Sequence, residues 1–153
     1  MSDKAAPGAL SDEALLARFV NSRNQPAGSR TLGFRMTGLC QVERWVKVEF
    51  DARAELLSNP MRQIQGGYLC AMLDEVMSVA CQVASGMTHV APTLEMKTSF
   101  FRPAMPGQLT GIGRVVRWGK TIAFTEGELT DVEGRTVAKA TGTAMPTPFA
   151  RYK

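Results

Sequence analysis

The sequence is poor in the residues that much enzyme chemistry leans on, with one histidine and three cysteines among 153 residues. The lone histidine, His89, has no local nucleophile signature around it, which argues against a Ser-His-Asp or Cys-His site. Cys40, Cys70 and Cys81 are odd in number and lack metal-ligand spacing. That disfavours structural zinc and a disulfide framework and suits reduced thiols. No apolar run approaches the eighteen residues of a membrane span, and the opening residues lack the basic-then-apolar layout of a secretion signal. The expected setting is therefore the cytoplasm, with no membrane partner. The net charge is +4, but the Lys and Arg residues are dispersed among acids, so nothing supports a nucleic-acid partner.

What remains is an ordinary globular composition, 44% hydrophobic and 21% charged, in a chain of one domain's length. Residues 1–10, broken by Pro7 and Gly8, read as a loose arm, and residues 11–150 as a single domain. Ser11-Asp12-Glu13 opens a short helix, and residues 21–30, with Asn24, Pro26 and Gly28, read as a loop. Two strands are expected between Thr31 and Phe50, then a turn of helix over 52–58. Beyond a loop holding His89 and Pro92, four strand-like runs follow, Thr93–Phe101, Gln108–Trp118, Thr121–Asp131 and Thr136–Met145, separated by turn chemistry.

The centre of the chain is the stretch from Asn59 to about Ser85. Leu69, Leu73, Val76, Ala80 and Val83 recur at spacings of four and three, which predicts one long amphipathic helix packed on a sheet. Gly66 and Gly67 at its start permit close backbone approach, and the first-turn N–H groups favour negative charge there. Asp74 lies about two turns further on, on the flank of the apolar stripe. Ser78 is one turn beyond Asp74, so the two side chains can meet. Glu75 is the alternative acid, rotated away, with solvated surface as its plain explanation. Cys70 shares the Asp74 side, where a cysteine is most simply a small core residue. Met72, Met77, Met87 and Met96 suit either an acyl tunnel or core filling.

The order of elements fits an α+β architecture, a six-stranded antiparallel sheet wrapped around one long central helix with a short N-terminal helix. Asn59, then Gln65-Gly66-Gly67, then Asp74, followed by Thr-Leu-Glu-Met and Phe-Arg-Pro-Ala-x-Pro-Gly, resembles the hotdog-fold thioesterases of the phenylacetic-acid-degradation type. The similarity runs from about Asn59 to Met145. It implies hydrolysis of an acyl thioester, with an acyl-coenzyme A as substrate, no metal, and coenzyme A present only as part of that substrate. On this resemblance Asp74 is the general base or the nucleophile, Gly66 offers its N–H to the thioester oxygen, and Asn59 helps position water or the leaving side. Gln65, Gly67, Ser78 and Thr93 are the expected substrate-side contacts. Gln65 stands where most relatives carry histidine, and it cannot shuttle a proton. The resemblance further implies a dimer or tetramer with the site at the dimer interface, Gly66 of one copy facing Asp74 of the other. A non-catalytic acyl-thioester binding protein of the same fold is the alternative.

Overall fold

The structure is a computed structural model and describes residues 10–152. Its elements are α1 (Asp12–Val20), α2 (Ala27–Thr31), β1 (Phe34–Cys40), β2 (Trp45–Ala52), α3 (Ala54–Leu57), α4 (Gly66–Ala84), β3 (His89–Val90), β4 (Thr93–Phe100), β5 (Gly107–Trp118), β6 (Ala123–Thr130), β7 (Thr136–Ala144) and β8 (Thr147–Pro148), closed by a 3-10 turn at Phe149–Tyr152. Six strands form one antiparallel sheet in the order β1-β2-β5-β6-β7-β4. The long helix and the sheet are those expected. The N-terminal arm, apart from Leu10, lies outside the described residues.

Helix α4 is buried on more than a stripe. Leu69, Met72, Leu73, Val76, Met77, Val79, Ala80, Cys81 and Val83 all leave solvent, because the sheet curls around the helix instead of lying flat against one face. Met72 and Met77 are thus core. Full burial of side chains such as Leu73, Val76 and Val83 contributes roughly 1.5–3 kcal/mol each. The helix rests almost directly on strand backbone at its middle: a Cβ placed on Gly113 of β5 would stand 2.1 Å from the Val76 carbonyl oxygen. Only glycine permits that approach. The helix ends at Ser85, and Gly86 follows at φ +63°, a left-handed residue closing the last turn.

Two local expectations are corrected. Residues 27–31, read as loop from Pro26 and Gly28, form α2, since proline just ahead of a helix is compatible with its first turn. His89 is not in a loop: His89–Val90 pairs with Thr147–Pro148 in a small second sheet. Two-residue strands, one carrying proline, leave no alternation to detect. At the other end α1 is capped by Ser11, whose Oγ accepts from the Ala14 N–H at 3.2 Å, as the sequence suggested. Asp12 ties α1 to the sheet by accepting from both the main-chain N–H and Nε2 of Gln41.

Candidate active site

Helix α4 meets the edge strand β4 along one line of residues spaced by four. At the helix start, a Cβ on Gly66 would touch the Phe100 ring at 3.4 Å. One turn on, the Cys70 thiol donates to Thr98 Oγ1 at 3.6 Å. A turn further, Thr93 Oγ1 donates to Asp74 Oδ1 at 2.5 Å. Helix and strand therefore run antiparallel, with the acid at the Thr93 end of β4 and the glycine turn at its Phe100 end. Asp74 is half-buried and takes part in no ion pair among the described residues. Its carboxylate is oriented by a hydroxyl and not neutralised by a cation. Ser78, one turn away, makes no hydrogen bond to it; Thr93 is the partner the structure provides.

The start of α4 is organised by two amides. Asn59 Oδ1 accepts from the N–H groups of Met61 and Gln63 at 2.9 and 3.0 Å, folding residues 59–63 into a turn and leaving only its Nδ2 to face outward chemistry. The Ile64 N–H then binds the Ala104 carbonyl and the Gln65 N–H the Leu57 carbonyl, which fixes where the helix begins. Gln65 is the N-cap: its Oε1 accepts from the Gly67 N–H at 2.8 Å. A Cβ on Gly67 would lie 2.8 Å from that oxygen, so the second glycine makes room for the cap. The Gly66 N–H has no acceptor among the described residues. A first-turn amide of a nineteen-residue helix, unpaired and at the positive end of the dipole, is a donor waiting for an oxygen.

Gly66 and Asp74 are eight residues apart on one straight helix, so about 12 Å separates them along its axis. One copy of the chain cannot bring both to the same carbonyl. Among the described residues β4 is an edge strand with one side unpaired, and it carries Leu94 (55% exposed) and Phe100 (54%). Large apolar side chains on an open strand edge call for a cover.

The other candidates take structural places. Glu75 is not solvated surface: it is half-buried and accepts from the buried Ser29 hydroxyl of α2 at 2.6 Å. Sequence reasoning missed this link because its partner sits in the segment read as loop. His89 Nδ1 lies 2.8 Å from Thr88 Oγ1 and its ring stands edge-on to Trp118. Cys81 is fully buried, and burial pushes its thiol up to about 12, which keeps it protonated and inert. Among the described residues no helix is long and apolar enough to cross a membrane.

Residues 64–138 match the family described as the thioesterase superfamily. A protein of Saccharolobus solfataricus described as a candidate esterase is 33% identical over 106 residues, 69% of this chain and 69% of its own length. A solved structure from Ralstonia eutropha, described as a candidate thioesterase related to phenylacetic acid degradation, is 32% identical with a TM-score of 0.74, covering 85% of this chain and 98% of its own. The Escherichia coli PaaI protein from the phenylacetic acid degradation operon shares the fold, with a TM-score of 0.72 and 23% identity over 80% of this chain and 86% of its own.

Proposed function

The chain belongs to the thioesterase superfamily, as a hotdog-fold member of the phenylacetic-acid-degradation type, and we propose that it hydrolyses an acyl-coenzyme A to a free acid and coenzyme A. The observation that carries this reading is the antiparallel run of α4 along the open edge strand, with a free main-chain donor at one end and a hydroxyl-held carboxylate at the other. Pairing β4 with its copy across a twofold axis continues the sheet and sets the Thr93 end of one strand beside the Phe100 end of the other. Gly66 of one protomer then shares a cleft with the Asp74 of its partner. The cover that Leu94 and Phe100 require and the completion of the site are one event.

In that cleft the Gly66 N–H donates to the thioester oxygen as negative charge develops there, aided by the helix dipole. Asp74, oriented by Thr93, either takes a proton from attacking water or attacks the carbonyl itself. Water supplies the hydroxyl of the new acid, its proton goes to the departing thiolate, and coenzyme A leaves as the thiol. Asn59 presents Nδ2 toward the leaving side, while Gly67 and Ser78 are lesser contacts. The setting is cytoplasmic, and the self-association is a dimer or a tetramer built from such dimers.

Complementation tests the shared site. Gly66→Pro removes the donor at a helix position that accepts proline, and Asp74→Asn removes the acid. Each variant alone is expected to lose turnover in a thiol-release assay across short, long and aryl acyl-coenzyme A thioesters. Unfolded together and refolded, they form mixed dimers with one intact site, returning about a quarter of native activity for random pairing of symmetric dimers. Absence of recovery despite formation of mixed dimers removes the cross-subunit site. Tight binding of thioesters by the unmodified chain without release of thiol from any of them favours the alternative, a binding protein.

A further inference from the structure

An antiparallel sheet with one face in water is usually polar on that face, and the outer face of this sheet departs from the rule. Along β5 and β6, Leu109, Val115, Ala123 and Leu129 are buried on the side of α4. The residues between them face away from the helix, and Ile112, Val116 and Phe124 among these are large, apolar and exposed. Phe101, just past β4, joins Ile112 at the rim of an open depression of about 450 Å³. A second depression, of about 340 Å³, is lined by Val116 and Phe124. Helix α4 offers no comparable surface, since Tyr68 is its one large apolar side chain left exposed.

The charges on the outer face decide what can cover it. Lys97, Arg114 and Lys139 interleave with Glu126 and Glu128 around the larger depression. Lys139 pairs with Glu128 at 3.2 Å. Arg114 stands opposite Glu126 across β5 and β6, yet no ion pair joins them among the described residues. A face of mixed sign gives neither a polyanion nor a polycation an unopposed field, but it suits its own copy, where each sign can meet the other.

We propose that this outer face is the contact between two dimers of this chain, stacked sheet against sheet into a tetramer. The inference rests on the edge-paired dimer proposed above and adds the second interface. Pairing through β4 lays the outer faces of two chains side by side on one continuous sheet. At ordinary strand spacings β5, β6, β7 and β4 give about 400 Å² of face per chain, so two stacked dimers bury about 1,600 Å², the size of a stable specific interface. Two single chains would bury only about half of that, in the range of weak contacts. Edge pairing therefore comes first, and stacking follows from it. Phe101, Ile112, Val116 and Phe124 are the side chains that enter the depressions of the opposite sheet.

Sedimentation equilibrium of the full chain tests this. The native protein is expected to sediment as four chains. Phe124→Glu is expected to sediment as two, its dimer–tetramer dissociation constant raised at least about 10²-fold by an unpaired carboxylate inside the contact. Val116→Lys, the opposite charge on a different strand, has the same effect, and Phe124→Leu keeps four chains. Both positions lie outside the proposed site, so the two-chain variants release thiol at near-native kcat. A native protein of two chains, unchanged by either charged variant, overturns the inference and leaves the edge-paired dimer standing. A native tetramer that survives both charged variants also overturns it and moves the second contact elsewhere. A native pair split into single chains by Phe124→Glu, or a native protein of single chains, overturns the edge pairing on which both readings depend.

Discussion

Asp74 and Glu75 are neighbours in the chain, and both are half-buried acids on the same helix, yet they serve opposite sides of the molecule. Asp74 points along the open edge of the sheet and is held by Thr93, an exposed residue at the start of an edge strand. Glu75 points the other way and is roped to Ser29, which is 3% exposed, 46 residues earlier in the chain. A turn of about 100° per residue separates an acid held at the open sheet edge from an acid that fastens a helix. Burial alone does not distinguish them. What distinguishes them is whether the hydrogen-bond partner is itself open to a ligand.

Substitutions can break that contrast or sharpen it. Asp74→Asn should carry the largest effect, a fall in kcat of about 10²–10⁴-fold with the fold intact by circular dichroism. Thr93→Val should cost about tenfold in kcat, as expected for one hydrogen bond to a charged group worth ~1.5 kcal/mol in orienting the acid. Glu75→Ala should leave kcat near native and instead lower unfolding free energy by about 1–3 kcal/mol, because the Ser29 hydroxyl loses its partner in a buried place; denaturant melts read it directly. Ser78→Ala should do least, raising KM less than about threefold, consistent with a weak contact of ~0.5 kcal/mol. A loss of turnover in Glu75→Ala as deep as that of Asp74→Asn would exchange the roles of the two acids.

The sequence makes one acid legible and hides the other. Asp74 can be read because its surroundings are local: the glycine pair, the apolar period and the acid all lie within one helix, where spacing determines direction. Thr93 is reached from the sequence only through the family resemblance, since helical spacing says nothing about which strand hydroxyl meets Asp74. Glu75 cannot be read so, since its meaning depends on α2, a five-residue helix in a segment dominated by turn-forming residues. The Ser78 contact fails for a related reason: helical spacing allows it, but a strand hydroxyl from across the fold reaches Asp74 instead. The cap by Gln65 is equally hidden, because glutamine is not among the favoured N-cap residues. Nor does the chain order announce which strand is the edge, for β4 pairs with β7 and not with β5, its successor in sequence.

The pairing of β4 with β7 shifts by one residue between Thr93 and Glu95, at the very end that holds the acid. Such a jog works as an index mark on a ruler. In a twofold strand pair the permitted registers differ by steps of two residues, which slide one copy past the other by about 7 Å. On the proposed pairing of β4 with its copy, a single step would carry Asp74 clear of the partner's Gly66 while keeping nearly every main-chain bond. For the proposed dimer, assembly of the right stoichiometry is therefore not yet assembly in gear, and the kink that spoils the regularity of this edge would give two copies a reason to stop at one notch.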